Sequence, residues 1–429
     1  IGYFGELQVE QQAKAQLAEH LKTALNSNRA MLELWFKEKR TDAEVIAENT
    51  DIKTNILRLT EFSKKTPSPK EIIASTELTE LRQNLGLAIK KYGFIGFVIF
   101  NKEGREIGAL LDAPVGQTAL KNRSDFFQQS LSGKTVVSLP FTGEVDLPDI
   151  QGIRHKNWPT MFVSTPVRDN SGTVQAVLAF RIRPEAEFSK LMQTNRFGET
   201  GEIYAFDSQG TLLSDSRFKT DLRKIGLLPQ EPWSTAILHL KITDPQVNLT
   251  EGLKPALPKK DWPLTKMAAS ATLGASGVAT TPYNDYRGVP VVGAWTWMAE
   301  YNLGLASEID ANEALRPLHS LRNSFFALFG FLILACILGI IFRSKQILAE
   351  IKERQRALKT LDEKLKTQII LDNVVDAIIT IDEIGSIQTF NQGAQKLFQY
   401  TENEVKGQNI KMLMPDPYHK EHDDYLKRY

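Results

Sequence analysis

Between Ser324 and Phe342 the chain runs for nineteen residues, SFFALFGFLILACILGIIF, without a charged side chain. At 1.5 Å per residue an unbroken helix of this length reaches roughly 29 Å, the thickness of a bilayer's hydrocarbon layer. A core helix of a soluble domain would be shorter or striped. Cations stand at both boundaries, Arg322 before and Arg343 and Lys345 after. The following segment adds Lys352, Arg354, Arg356 and Lys359, whereas the preceding one holds only Arg316 and Arg322. That excess places the C-terminal side in the cytoplasm. Residues 324–342 are therefore expected to cross the cell inner membrane, with residues 1–323 periplasmic or extracellular and residues 343–429 cytoplasmic. A large polar region on one side of a single span and a small one on the other is the layout of a receptor.

Composition narrows the rest. With 24% charged residues, 42% hydrophobic residues and a formal net charge of +1, no nucleic-acid or polyanion partner is implied. The single cysteine, Cys336, lies inside the span, so the outer domain must be held by its own core without disulfides. The six histidines show neither CxxC nor HExxH company, and no metal site is expected. No GxSxG, Walker loop or other catalytic set appears, so this stretch of chain is not expected to be an enzyme.

The opening IGYFGE reads as the outer end of a first membrane helix over residues 1–6. From about Leu7 to Asn49 the apolar residues Leu17, Leu21, Leu25, Leu32 and Trp35 recur at helical spacing, with a possible break at Asn26 to Asn28. One helix about 60 Å long is more than a small domain needs, and a stalk is expected. A second helical stretch covers about Ser68 to Tyr92. Then one phrase appears three times, as GFVIFNKEGREIGAL (96–110), EIYAFDSQGTLLSDS (202–216) and AIITIDEIGSIQTFN (377–391). Each is an apolar strand, a turn opening on Asn or Asp and closing on Gly, and a second strand. The first two are followed by paired strands, Pro166 to Pro184 and Tyr286 to Asp310, so each half is expected to be an antiparallel sheet of about five strands. Lys219 to Pro282 is expected to form surface loops with little regular structure. After the span, Ile347, Ile351, Leu358, Leu361 and Leu365 fall on heptad a and d positions, predicting a coiled-coil linker over 343–368 and a parallel homodimer. A single amphipathic connector helix is the competing reading.

The three hairpins and their order resemble a double Cache sensor domain outside the membrane followed by a PAS domain inside. The Cache likeness rests on the long first helix and on RFGETGEIYAFDSQGTLLSDSRF (196–218) and YRGVPVVGAWTW (286–297); the PAS likeness rests on 369–429, including the Thr401 and Glu404 capping box and GQNIKMLMPDPYHKEHDDYL. The implied fold class is α+β: a stalk helix, two PAS-like antiparallel modules spanning 7–320 (membrane-distal about 93–190, membrane-proximal about 196–315), one transmembrane helix, a coiled-coil linker and the N-terminal part of a PAS domain. The resemblance implies a signal-transduction receptor for a small extracytoplasmic ligand. Its output domain would follow Tyr429: a histidine kinase, with a response regulator as downstream partner, or a diguanylate cyclase. The alternative is a redox or gas sensor whose PAS cofactor senses while the Cache domain is a spacer. A chemoreceptor is disfavoured by the absence of HAMP-like sequence between Arg343 and Thr367. In haem-binding relatives the axial histidine lies beyond the end of this sequence, and neither His419 nor His422 falls at that position. No cofactor is therefore assigned to the fragment, and haem or flavin in the complete PAS domain stays open.

In amino-acid-binding relatives the distal module holds the ligand carboxylate with an Arg and aromatics after the first hairpin, and the ammonium with an Asp on the last strand. The matching stretch is LKNRSDFFQQSLSGK (120–134). The resemblance thus implies Arg123 on a carboxylate and Phe126 and Phe127 as an apolar wall, with Asp125 or Phe126 where a Trp is expected. Arg181 stands about where the ammonium-binding Asp would lie, so the site is expected to reject α-amino acids. A cationic site remains, Arg123 and Arg181 with Arg154, His155 and Lys156, under Trp158 as an aromatic lid, for a carboxylate or similar anion. The competing reading has Arg181 and Arg183 facing water and the Arg-His-Lys run as a solvated patch. Trp295 and Trp297 are expected in the core of the second module.

Overall fold

The computed structural model describes residues 2–65, 67–118, 125–194 and 197–426. It divides into two compact units, residues 1–323 and 324–429. The first unit opens with α1 (Gly2–Ala47), α2 (Thr50–Ser63), α3 (Pro69–Ile73) and α4 (Thr76–Tyr92). Helix α1 runs without the break expected at Asn26 to Asn28, because Asn28 is buried and its Nδ2 donates to the Ala24 carbonyl at 2.8 Å, inside the helix's own ladder. Asn49 then caps α2, its side chain accepting from the Asp51 and Ile52 amides.

The distal module contains β1 (Gly96–Asn101), β2 (Glu106–Ala109), α5 (Asp125–Leu131), β3 (Val136–Val137), β4 (Phe141–Thr142), β5 (Leu147–Pro148), β6 (Arg154–His155), β7 (Pro159–Arg168), β8 (Val174–Ile182) and α6 (Ser189–Thr194). Its main sheet has the order β2-β1-β8-β7-β3, with β4 also on β7. Strand alternation sends Phe97, Ile99, Leu178, Phe180, Met161 and Val163 to the helix-covered side. Phe100, Val177 and Ala179 go to the other, where Phe126 and Phe127 of α5 pack on them. The proximal module has β9 (Glu202–Phe206), α7 (Lys219–Lys224), α8 (Lys266–Ala271), β10 (Gly277–Asn284), β11 (Pro290–Met298), β12 (Leu303–Asp310) and α9 (Ala311–Ala314), with sheet order β10-β11-β12-β9.

The stalk helix is also a spine. From Leu17 onward its stripe of Leu21, Leu25, Leu32, Phe36 and Ile46 is buried in one core that takes side chains from both sheets. At the junction Phe36 stacks on Tyr301 of the proximal module with ring centroids 4.3 Å apart, while Trp35 meets Phe188 at 5.9 Å. Buried Lys39 is held by Glu187 at 3.0 Å and the Tyr92 carbonyl at 3.2 Å.

The segment from Lys219 to Pro282 is not a set of bare loops. It carries α7, α8 and β10 and buries Leu222, Leu228, Ala236, Leu240, Ile242 and Met267 against the outer face of the proximal sheet. Its apolar residues follow neither a 2 nor a 3.6 period, so periodicity could not reveal them. Trp295 is buried there and Trp297 packs against the same cluster. The repeated turn is commoner than the three phrases suggested. Asn101, Asp149, Asp169, Asp207, Asp285 and Asp382 each stand three residues before a glycine with φ between 72° and 86°. Each accepts through Oδ1 from the amide four residues on, at 2.8 to 3.0 Å. One local device therefore closes six turns.

Helix α10 (Arg316–Asn373) contains the apolar run and is long and apolar enough to cross a membrane. The second unit continues with β13 (Ile379–Ile381), β14 (Ile387–Phe390), α11 (Gln392–Phe398), α12 (Glu402–Val405) and α13 (Tyr418–Leu426) around a small core of Ile387, Phe390, Ala394, Val405 and Ile410. Thr401 and Glu404 form the expected capping box.

If α1 is the spine of both modules, Phe36→Ala should cost about 3 to 5 kcal/mol in urea unfolding followed by tryptophan fluorescence. All six tryptophans precede residue 300, so the signal reports the outer unit alone. A loss below about 1 kcal/mol would contradict the shared core.

Candidate ligand-binding site

On the face of the distal sheet opposite the helices lies a cavity of about 180 Å³. Its lining comes from β1, β2 and the segment to Pro114, the stretch from Phe141 to Pro148, and the facing residues of β7 and β8. Most of it is apolar, including Val98, Phe100, Leu110, Phe141 and Phe162. The volume is below the 300 to 1,000 Å³ or so usual for drug-sized ligands, which suits a small metabolite.

Arg181 is on β8, one step beyond Ala179 on the same face, and is 8% exposed. Its Nε donates to Thr160 Oγ1 at 3.0 Å, while Nη2 has no partner among the described residues. Burial pushes this guanidinium down to about 10, opposed by neighbouring Glu185, so it remains charged at neutral pH. Arg154 also lines the cavity, with Nη1 3.4 Å from the Asp146 carbonyl that accepts from it. Two carboxylates line the same space, Glu106 and Glu144. Glu106, the first residue of β2, is 6% exposed and its Oε2 has no partner among the described residues. Burial, with Glu144 nearby, pushes it up to about 8.

Other expected site residues lie elsewhere. Arg123 falls outside the described residues. Asp125 is exposed at the start of α5. Phe126 and Phe127 do not line the cavity; they form the core beneath α5, and Phe126 reaches it only through its stacking on Phe141 and Phe162. Trp158 does not line this cavity: it is buried, donates from Nε1 to Glu185 at 3.1 Å, stacks on His155 at 4.5 Å and, with His155 and Lys156, lines a separate cavity of about 320 Å³. His155 is paired with Asp149 at 2.8 Å, and Lys156 is exposed. Arg181 is buried and does not face water, whereas Arg154 and Lys156 are exposed, and the cations that line the cavity share it with Glu106 and Glu144. Sequence reasoning missed Glu106 and Thr160 because a strand's alternation says which residues share a face but not which face a distant loop will cover.

The proximal module also buries acids, and these are satisfied. Glu202 accepts from Ser216 Oγ at 2.7 Å and the Arg217 amide at 2.9 Å, and also from Tyr286. Its cross-strand neighbour Glu308 accepts from Tyr204 at 2.6 Å and Tyr283 at 2.7 Å, and burial first of all pushes it up to about 8. These groups hold a core together; Glu106 and Arg181 face a space.

An unfolded glutamate ionises near pH 4.5, whereas Glu106 and Glu308 keep their protons in the folded state up to about 8. Between those values the folded state binds the extra protons, so both groups lower stability progressively as pH rises through that window. Glu106→Gln should therefore make the loss of stability between about pH 5 and pH 8 shallower, read as the urea midpoint of the tryptophan signal. An unchanged slope would overturn the assignment of a buried, unpartnered carboxyl.

Known proteins resemble both parts of this chain. A family model described as Cache domain matches residues 5–318, and one described as PAS fold matches residues 366–429. Sensor protein FixL of Bradyrhizobium diazoefficiens is 42% identical over 80 residues, which are 19% of this chain and 15% of that protein. A probable serine/threonine-protein kinase of Dictyostelium discoideum is 40% identical over 53 residues, 12% of this chain and 4% of that one. The chain thus spans 15% or less of the length of these relatives. Among solved structures, the sensor domain of the V. cholerae histidine kinase DctB shows 13% identity and a TM-score of 0.43, covering 70% of this chain and 98% of that one. The ligand-binding domain of the Campylobacter jejuni chemoreceptor Tlp3, in complex with L-norvaline, shows 10% identity and a TM-score of 0.43, covering 71% and 94%. With the Cache model matching residues 5–318 of 429, the chain belongs to the Cache-domain family and carries a PAS domain after its apolar helix.

Proposed function

We propose that this chain is the sensing part of a transmembrane signal-transduction receptor that binds a small carboxylate or similar anion in the distal cavity. One observation carries this reading: Arg181, charged, nine-tenths buried and with an unpartnered Nη2, lines a mostly apolar cavity. A buried cation without a full set of acceptors is costly, and an anion bound there supplies them. Each charge-assisted bond would contribute roughly 1.5 to 3 kcal/mol. The cation excess after the apolar helix supports an outer placement of residues 1–323 in the inner membrane and a cytoplasmic PAS domain. Ligand binding would shift the distal sheet against α1, and the change would pass through α10 to the PAS domain. Swinging the output from 1:99 to 99:1 requires the ligand to favour the signalling state by about 5.5 kcal/mol.

The output domain is proposed to be a histidine kinase acting on a response regulator, a reading supported by the likeness to a sensor protein; a diguanylate cyclase fits the same layout. Visible absorbance from a haem or flavin in the parent protein is the outcome that would move the sensing role to the PAS domain. Dimerisation is proposed through α10, where Ile347, Ile351, Leu358, Leu361 and Leu365 are exposed at heptad spacing. Leu361→Asp should then convert a dimer into a monomer in light scattering of detergent-solubilised chain, and a monomeric wild type would exclude this interface.

Titration of the full chain in detergent micelles with short monocarboxylates and dicarboxylates tests the site itself. Binding is expected, weakened roughly tenfold to a hundredfold by Arg181→Met, with tryptophan-monitored unfolding confirming that the variant folds. Carboxylate binding that Arg181→Met leaves unchanged would overturn the assignment, as would no carboxylate binding at all.

A further inference from the structure

The cavity of about 320 Å³ that Trp158 lines lies at the seam between the two modules, apart from the one that Arg181 lines. The distal module contributes the residues directly after β6, and the proximal module contributes residues between Pro229 and His239. Three rings form a column along it. Trp158 stacks on His155 with centroids 4.5 Å apart, and His155 meets Trp233 across the seam at 5.5 Å, with interplanar angles of 27° and 32°. The column begins at a buried indole and ends at Trp233, which is 46% exposed. An indole left that open among polar groups offers a stacking surface. The imidazoles beside it are fixed. Asp149 accepts the Gln151 and Ile153 amides through Oδ1, and its Oδ2 takes the His155 Nε2–H at 2.8 Å. His239 gives its Nδ1–H to the Ile237 carbonyl at 2.9 Å, which leaves Nε2 of the neutral ring as an acceptor. The Asn157 side chain makes no hydrogen bond among the described residues, and its backbone is left-handed at φ 56°. On the exposed rim stand one cation, Lys156, and one anion, Glu231.

We propose that this seam is a second ligand site, for an uncharged planar heterocycle with a lactam edge, a ring N–H beside a C=O, of the pyrimidinone or purinone kind. A flat ring extends the aromatic column at Trp233 without prising its members apart. A primary amide is complementary to a lactam. Asn157 Oδ1 accepts the ring N–H while Nδ2 donates to the C=O, the two-bond geometry that asparagine uses on a base edge. The acceptor Nε2 of His239 takes a further N–H. A carboxylate would meet Glu231 and an ammonium would meet Lys156, so the rim favours neither net charge. The ligand therefore differs in class from the anion proposed for Arg181, and the two sites stand or fall separately. Strand alternation gives the seam its place in the molecule. Arg154 and His155 are adjacent in β6, yet the first lines the distal cavity and the second lines the seam. A ring held by Asn157 and Trp233 thus ties the paired strands β5 and β6, which border the distal cavity, to the proximal module.

The test is isothermal titration of the full chain in detergent micelles with uracil, hypoxanthine, 1,3-dimethyluracil and glucose. Uracil or hypoxanthine should bind roughly tenfold or more tighter than 1,3-dimethyluracil, whose ring N–H groups are blocked, and than glucose, which is not planar. Asn157→Gly, which the left-handed backbone accepts without strain, should bring the lactams down to the level of 1,3-dimethyluracil. Trp233→Ala should weaken every heterocycle by roughly tenfold or more. Both substitutions change exposed residues, and the tryptophan-monitored unfolding transition confirms that the variants fold. Should Trp233→Ala not fold, Trp233→Leu, which keeps the bulk without a flat ring, takes its place. Binding of neither lactam, equal binding of 1,3-dimethyluracil, tighter binding of glucose, or lactam binding that either variant leaves unchanged overturns the inference.

Discussion

The outer unit depends on one apolar stripe. Leu17, Leu21, Leu25, Leu32 and Phe36 of α1 are buried in a core to which both sheets contribute, so neither module closes its inner face without the same helix. Each sheet is hydrophobic on that side because strand alternation makes it so, and the helix removes both surfaces from water together. The Phe36 and Tyr301 stacking and the Lys39 and Glu187 pair fix how the helix meets the two modules at their junction. Both sheets therefore pack on one helix, and the signalling proposed above would use that shared element.

The same alternation that builds the core also builds the site. Once Phe97, Leu178 and Phe180 point to α1, α2 and α4, their neighbours Val98, Ala179 and Arg181 must point the other way. On that side the covering material is short: α5 seals the part over Phe100, Val177 and Ala179, and the stretch from Phe141 to Pro148 covers the remainder without filling it. Partial cover explains why two ionisable side chains there, Glu106 and Arg181, are dry and yet not fully bonded. The proximal module follows the opposite course. Its outer face is filled by the segment from Lys219 to Pro282, and its buried acids are saturated by tyrosine and serine hydroxyls and a backbone amide.

Much of the architecture was legible in the sequence because it is local. A turn in which Asp or Asn accepts from the amide four residues later and a glycine takes positive φ leaves its mark within five residues, and it recurs six times. The apolar run after Arg322 and the stripe of α1 are likewise statements about neighbours along one helix. Arg181 was singled out by its place on the last strand of the distal module, and there it is buried and lines the cavity. Arg123 falls outside the described residues, and Phe126, Phe127 and Trp158 stand outside the cavity that Arg181 lines, a difference the sequence does not record because an aromatic side chain reads the same whether it lines a cavity or fills a core.

What the sequence determined by itself was the division of the chain by an uncharged span, the helix and hairpin order, and the absence of disulfide support, all of which follow from composition and short-range spacing. Only the tertiary structure decided which face of the distal sheet would be left partly covered. It also decided that Glu106, more than seventy residues before Arg181, would share a cavity with it. The reason is that burial of a charge is set by surfaces arriving from far along the chain, and no local pattern records their arrival.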